Sequence, residues 1–355
     1  MGLCMYLVLM IVFVVLAQRV RPQMIMFIFF AAANAFAYAV AIGQHMEHDF
    51  LNLRYNIASN QYTKFISTFG NINMYASYLS ISIPVLLAVF AFCKNWFSRI
   101  LSGILLIAAG CNILIANSDS VFLGIFAGVV VVTILAFMQG RLRYSSFAVF
   151  LLFVGNLVLG FINKYGHTRY DKKRGGLAIA LNRLDIAFVL CGAALLVFAV
   201  VCVCNWKLGT RVAAWNKKKI VLIVCGACVA LGVIGIIVLA VTGSSLLTFN
   251  DKWGSYRGYI WRKIVEVYGD APFVNKLFGY GNESVRVTLK AACYNEMVQV
   301  TGKVYDNAHN ELLQYLFTTG IVGLLSYLAL VGSSIVYMFK HAKEHAWISV
   351  CLAAT

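Results

Sequence analysis

One histidine lies where a polar stretch of the chain gives way to an apolar run. His309 follows Asp306 and Asn307 and precedes Glu311, and the run covers 311–339. We expect Asp306 or Asn307 to cap a helix that begins here, with Glu311 in its first turn. The positive end of a helix disfavours an imidazolium, so it lowers a histidine pKa and leaves a neutral ring that can accept a proton. A lone loop histidine is more commonly just solvated, and physics alone leaves both interpretations open.

The chain around this histidine has the composition of a membrane protein. Of its 355 residues, 61% are hydrophobic and 12% are charged, and the mean hydropathy is +0.82. Soluble globular chains contain about 45–50% apolar and about 25% charged residues. These values exclude a soluble enzyme, a disordered tail and a coiled coil, and they predict an all-α bundle of transmembrane helices. A net charge of +16 is then typical of basic cytoplasmic loops rather than of nucleic-acid binding.

About ten apolar segments approach the length of about 20 residues that a spanning helix needs. They lie at 2–17, 24–43, 71–93, 100–117, 120–138, 145–163, 185–205, 220–242, 311–339 and 346–355. The first begins almost at Met1 and the last stops at Thr355, so we expect that a longer parent chain is truncated at both ends.

Loop charges predict the orientation of these spans. The loops after every second span are rich in Lys and Arg and hold a single acid, Glu344. The positive-inside rule places them in the cytoplasm, which puts His309 on the exoplasmic side. The expected organisation is a transmembrane bundle over 1–242 with outer loops 44–70 and 164–184, a large exoplasmic catalytic loop with short helices over 243–310, and incomplete C-terminal transmembrane helices over 311–355.

One outer loop breaks the charge rule. The 164–184 loop contains Lys172, Lys173, Arg174 and Arg183 among its basic residues. The cluster is either simply solvated or a site for an anion such as a lipid pyrophosphate or an acidic sugar, and the sequence leaves the two alternatives even.

The sequence predicts no metal site and no cofactor. His45 and His48 have a permissive spacing in an exposed loop. No second pair of ligands completes a tetrahedron around them.

Four short motifs resemble the O-antigen ligase and polymerase superfamily, in the family's order, over about residues 65–335. They are His309-Asn310-x-x-Leu313 with Gly320 and Gly323, Arg257-x-x-x-Trp261, Pro272 followed by Phe278-Gly279-Tyr280-Gly281, and Phe69-Gly70-Asn71-Ile72-Asn73 followed by Ala76-x-Tyr78-Leu79. We expect Gly320 and Gly323 to permit close helix contact from one helical face, and Gly279 and Gly281 to be turn glycines. Departures from the family pattern at Asp119, Thr318 and Val322 leave the subfamily and the glycan open.

The resemblance implies a metal-independent, inverting, GT-C-like membrane glycosyltransferase of polysaccharide biosynthesis. It would move a glycan from undecaprenyl pyrophosphate to a glycan or glycolipid acceptor on the outer face of the cytoplasmic membrane. His309 would take the acceptor proton. Arg257 and Arg183 would hold the pyrophosphate, because a guanidinium fork pairs with phosphate oxygens. The alternative to pyrophosphate binding by Arg257 is a structural role in a surface salt bridge, for instance with Asp251.

Further substrate contacts are expected around these groups. Asn310 follows the histidine, and Tyr280 could stack on a sugar ring. Lys172, Lys173 and Arg174 would add long-range attraction for an anionic donor.

Three further functions compete with glycan ligation. A repeat-unit polymerase of the same superfamily uses the same chemistry, and the motifs separate it poorly from a ligase. A transporter or flippase of the lipid-linked glycan would need polar residues deep in its spans, and these are scarce. A basic-loop receptor without chemistry would make His309 dispensable.

Overall fold

The computed structural model describes residues 24–58, 61–62, 65–166, 183–214 and 250–341, together with a few isolated positions. All regular elements within these ranges are helices. The predicted spans at 2–17, 220–242 and 346–355 fall almost wholly outside them, as do Lys172, Lys173 and Arg174.

Six long helices build the first of two compact units, whose described part runs from residue 24 to residue 221. They are α1 Met24–His45, α2 Ile72–Phe92, α3 Trp96–Ile115, α4 Asp119–Met138, α5 Leu142–Tyr165 and α6 Leu184–Ala214. A short 3-10 turn, Ser67–Phe69, precedes α2. Among the described residues, these six helices and one later helix are long and apolar enough to cross a membrane. They correspond to seven of the predicted spans, which confirms the prediction of an all-α, multi-pass membrane protein.

Buried polar pairs and close backbone contacts hold this unit together. The hydroxyl of Tyr75 on α2 donates to Asn112 Oδ1 on α3 at 2.7 Å. A Cβ on Gly110 would overlap the Leu152 carbonyl, so α3 and α5 cross at backbone contact. The Gly-Asn motif before α2 is a cap, because Asn71 Oδ1 accepts from the backbone of the first helical turn.

The second unit contains three helices and most of a fourth within residues 250–336. They are α7 Trp253–Gly269, α8 Phe273–Phe278, α9 Ser284–Thr301 and α10 Glu311–His341. The first three are short helices within the predicted 243–310 loop. Buried side chains of α7, of α9 and of the connection after α9 meet Phe317 of α10 in one hydrophobic cluster, which includes Tyr259, Ile260, Ile264, Val285, Leu289, Met297, Tyr305 and Ala308.

A network of ion pairs joins α7 to α9 beside this cluster. Arg262 pairs with Asp251 and Glu266, each at 2.8 Å. Lys263 bridges Glu266 and Glu296, each at 2.9 Å. Exposed pairs of this kind contribute little stability singly, so the network chiefly fixes the angle between the two helices.

The last helix is interrupted at Gly320, and this overturns one expectation from the sequence. Gly320 has φ +70° and ψ −174°, so α10 is not one continuous helix. The carbonyls of Phe317 and Thr318 accept hydrogen bonds from the backbone N–H groups of Tyr280 and Gly281, both at 3.0 Å. We call this pairing of 277–281 with 317–320 the latch.

Gly279 and Gly320 are needed because the two sides of the latch approach each other closely. A Cβ on Gly320 would overlap the Leu277 carbonyl, and one on Gly279 would overlap Thr318. The expectation that Gly320 lies on a regular helical face is therefore wrong, because its backbone is not helical. Its close contact is nevertheless with a helix, since Leu277 and Phe278 are the last residues of α8. The prediction that Gly279 and Gly281 are turn glycines is confirmed by their φ angles of 76° and 98°.

Candidate functional site

His309 is an exposed histidine in the short connection between α9 and α10. Its backbone is left-handed, with φ 49°, and its N–H donates to Asn307 Oδ1 at 3.0 Å. The imidazole meets the Tyr305 ring edge to face, with centroids 5.8 Å apart. Neither ring nitrogen is hydrogen-bonded to any residue that the structure describes. Within the described part of the chain, the imidazole is therefore held by packing against Tyr305, and neither ring nitrogen has a partner.

The cap of α10 differs from the prediction. Asn310 is the capping residue, because its Oδ1 accepts from the N–H of Leu313 at 3.2 Å. Asn307 instead holds His309, and its own amide donates to Asp306 at 3.1 Å. Glu311 lies in the first turn as predicted. Capping occupies the Asn310 carbonyl oxygen, so the amide nitrogen is the group left for a substrate.

The environment of His309 lowers its pKa below the usual 6.5. Partial burial of the ring is the main cause, and the positive charge of Arg257 is the second. Asp306 opposes the shift, and Lys303 adds slightly to it. The direction agrees with the sequence prediction, although the prediction named only the helix end. At neutral pH the ring is uncharged and can accept a proton.

Arg257 is an exposed cation close enough to His309 to influence its charge state. It forms no ion pair or hydrogen bond with any other residue in the described part of the chain. The salt bridge with Asp251, considered as its alternative role, is formed by Arg262 instead. The Arg257 guanidinium is thus free to bind an anion.

A hydrogen-bonded peptide fixes the position of His309, and sequence reasoning did not identify it. The Ala308 carbonyl accepts from the Trp261 indole at 2.8 Å, and the Ala308 N–H donates to Gln314 Oε1 at 2.9 Å. Trp261 is four residues after Arg257, so the two lie on one face of α7. The spacing of the Arg-x-x-x-Trp motif therefore brings both an anion-binding group and an anchor to the histidine. We call the three residues Trp261, Ala308 and Gln314 the clamp.

Arg183 belongs to the other compact unit, just before α6. Its guanidinium forms a two-point pair with Asp185, at 2.7 Å and 3.2 Å, and both side chains are exposed. An anion that binds Arg183 would compete with this carboxylate.

Tyr280 is half-buried and part of the latch. Its ring stacks on Phe317, with centroids 4.9 Å apart, and one of its faces is therefore occupied. This geometry favours a packing role over contact with a sugar ring.

The structure also bears on possible ligands for a metal ion. In the described ranges, no group of three or more His, Cys, Asp or Glu side chains could hold a metal ion. The His45 ring nitrogen is within 2.6 Å of Asn163 Oδ1.

Comparison with known proteins identifies the region that contains this site. Residues 174–328 match the family described as O-antigen ligase. Over these residues, the resemblance to the O-antigen ligase superfamily is confirmed. The matched O-antigen ligase domain contains Arg183, Arg257 and His309, as well as the clamp and the latch. No curated protein and no solved structure is significantly similar to the chain.

The match to the O-antigen ligase family gives the site its chemical setting. The superfamily consists of membrane enzymes of the O-antigen ligase and polymerase type, which act on lipid-linked glycans. Within the O-antigen ligase domain, the described part of the site combines one open imidazole with one unpaired guanidinium.

Proposed function

We propose that this protein transfers a glycan from a polyprenyl-pyrophosphate carrier to an acceptor hydroxyl at the exoplasmic face of the cytoplasmic membrane. The observation that carries the proposal is the pairing of His309 with Arg257. The imidazole is exposed and neutral at pH 7. Among the described residues, neither of its ring nitrogens has a hydrogen-bond partner and the neighbouring guanidinium has no counter-ion.

The proposed reaction is a single displacement at the anomeric carbon. The acceptor hydroxyl gives its proton to a ring nitrogen of His309 as its oxygen bonds to the anomeric carbon. The bond from that carbon to the pyrophosphate oxygen breaks, and its electron pair leaves with the carrier. Attack from the side opposite the leaving group inverts the anomeric configuration.

Arg257 would stabilise the negative charge that develops on the leaving pyrophosphate. A guanidinium can pair with two phosphate oxygens, which supplies this stabilisation without a metal ion. The exposed ammonium of Lys303 adds positive charge near the histidine.

Arg183 and the basic loop before it would form a second anion-binding region. Lys172, Lys173 and Arg174 would raise the local concentration of the anionic donor by long-range attraction. Asn310 would contact the acceptor through its free amide nitrogen.

We favour a ligase over a repeat-unit polymerase because the chain offers one dominant histidine beside a single large loop. A ligase joins the glycan to a different acceptor, and a polymerase joins repeat units to one another. Both use the same base and the same anion site.

The test is product formation by the purified protein in proteoliposomes. A lipid-linked glycan is added alone and together with a candidate acceptor, and products are separated on a gel. A ligase gives product only with the acceptor, whereas a polymerase lengthens the donor by itself. If the donor crosses the bilayer without any product, the protein is a transporter and the proposal fails.

Removing one side of the clamp should slow transfer by roughly tenfold, the equivalent of one hydrogen bond of about 1 kcal/mol plus lost positioning. Trp261→Phe removes the indole donor to Ala308, and Gln314→Leu removes the acceptor. Because Trp261 and Gln314 both hold the backbone of Ala308, the double variant should lose less than the product of the single losses.

The matched variants for the clamp are Gln314→Glu and Trp253→Phe. Gln314→Glu keeps an oxygen acceptor for the Ala308 N–H, but its negative charge should raise the pKa of His309. This variant should therefore recover transfer at a pH above that raised pKa. Trp253→Phe changes another tryptophan of α7, with its ring 5.2 Å from that of Trp261, and should leave the rate close to wild type. Equal losses in all three single variants would contradict a positioning role.

A further inference from the structure

The position of the membrane boundary on α10 can be derived from its length. Its two helical segments and the break between them comprise 31 residues, which at about 1.5 Å per residue is roughly 46 Å, well beyond the roughly 30 Å hydrocarbon thickness. Only about 20 of its residues can therefore lie in the lipid. Glu311 and Gln314 lie near one end and Lys340 and His341 at the other. Counting back about 20 residues from Lys340 reaches Gly320.

The helix break at Gly320 coincides with this boundary. The segment 321–341 is long and apolar enough to span by itself. The latch hydrogen bonds at Phe317 and Thr318 involve loop backbone, which is not tolerated where it faces lipid hydrocarbon. Both observations put residues 311–319 in the extramembrane part of the protein, so α10 contributes a short helical segment to the loop and a longer one to the bilayer.

The latch holds helix α8 beside this boundary, and α8 has an exposed apolar face. Phe273, Val274, Leu277 and Phe278 lie on one side of its six residues, and Lys276 lies on the other. Three of the four are highly exposed, Phe273 at 73%, Val274 at 65% and Phe278 at 62%. Exposed aromatic and aliphatic side chains in one contiguous patch mark a surface that binds an apolar partner.

The apolar face of α8 continues into the exposed apolar surface of the spanning half of α10. The backbone of 277–281 contacts Thr318 and Gly320, and the next residues of α10, Ile321 and Val322, are themselves exposed and apolar. A spanning helix presents such residues to lipid. The occupant of the adjacent α8 face is therefore the same lipid.

We propose that the bilayer begins at Gly320 and that α8 is an interfacial anchor whose Phe273, Val274 and Phe278 side chains enter the lipid. Because the latch joins α8 to α10, the depth of α8 in the lipid then fixes the height of the candidate site above the bilayer. His309 is separated from Gly320 by the ten residues 310–319, so the anchor keeps the imidazole within about 17 Å of the hydrocarbon edge at 1.5 Å per helical residue. This inference depends on the membrane fold and not on the transfer reaction.

The test compares cysteines at positions of equal exposure within the protein. Phe273→Cys lies on the anchor, and Val287→Cys lies on α9 at 71% exposure in the wild type, against 73% for Phe273. Leu325→Cys, on the spanning half of α10 at 58%, is the lipid-exposed reference. The full chain is reconstituted without any donor, labelled with a small fluorophore, and corrected for the labelling of the native cysteines.

Lipids brominated near the headgroup end of their acyl chains serve as the probe. We expect these lipids to quench the label at position 273 and to leave the label at position 287 unquenched. At position 325 they should quench less than lipids that are brominated deeper in their acyl chains. A charged maleimide should react with the cysteine at 273 at least tenfold more slowly than with that at 287. Labelling of 273 as fast as 287, or slow labelling without quenching, would overturn the proposal, because the latter means that protein covers α8.

Discussion

Replacing His309 by alanine is expected to reduce glycan transfer by about 100- to 10,000-fold, the contribution typical of a positioned general base. The imidazole has no hydrogen bond to any described residue, so its removal leaves no buried partner unsatisfied. The left-handed φ of 49° stays strained with alanine, but histidine bears a similar strain already. Initial rates at matched membrane levels measure the loss. His48→Ala removes another exposed histidine and should transfer like wild type.

The pH dependence tests whether His309 acts as the base. A base works in its neutral form, so the wild-type rate should rise with pH, reach half its maximum below pH 6.5 and level off near neutrality. Arg257→Gln removes a charge that lowers the His309 pKa, so the rising limb should move to higher pH. Asp306→Asn removes a charge that raises this pKa, so the limb should move to lower pH. A His309→Ala variant with normal rates, or limbs that do not move in these opposite directions, would assign His309 a structural role.

Much of the membrane fold was predictable because lipid imposes a simple rule on sequence. Each backbone polar group in the hydrocarbon must be paired within its own segment, so spans read as long apolar runs. The segments predicted at 71–93 and 145–163 correspond to α2 and α5 within a few residues at each end. Tertiary contacts have little influence on such boundaries.

The residues of the site were predictable, but their positioning was not. His309 and Arg257 stand out by type and by motif. The cap at Asn310 depends on the local turn around His309, which neighbouring Asp306 and Asn307 could equally well have formed. The hydrogen bond from Trp261 to Ala308 joins residues 47 apart in sequence, and no local pattern encodes a contact over that distance.

Gly320 shows most clearly where sequence reasoning stops. A glycine within an apolar helical run is normally a packing position, and the spacing to Gly323 supports that interpretation. The structure instead uses its freedom to adopt φ +70° and ψ −174°. Such a conformation is almost restricted to glycine. Only the position of the partner segment 277–281 shows why the chain needs it here.

Substituting Gly320 by alanine is accordingly expected to destabilise the folded protein by about 3 kcal/mol or more, from about 1–3 kcal/mol of backbone strain and a similar cost of overlap. The new Cβ would overlap the Leu277 carbonyl. Relief of that overlap separates the two sides of the latch and leaves the Phe317 and Thr318 carbonyls without partners. The loss is large against a typical total stability of about 5–15 kcal/mol, and it appears as a lower unfolding midpoint of the purified protein in lipid or detergent.

Gly332→Ala is the matched control, since it changes a glycine of the same helix whose added Cβ meets nothing within 4 Å. It should be neutral or slightly stabilising, because alanine favours a helix by up to about 1 kcal/mol over glycine. Gly279→Ala breaks the same latch from the loop side, so the Gly279→Ala, Gly320→Ala double variant should lose less than the sum of the two single losses. If Gly320→Ala is as stable as Gly332→Ala, α10 is a continuous helix in the membrane and the latch does not form. In that case the boundary at Gly320 also loses its support, because the loop backbone would no longer be fixed beside the spanning half of α10.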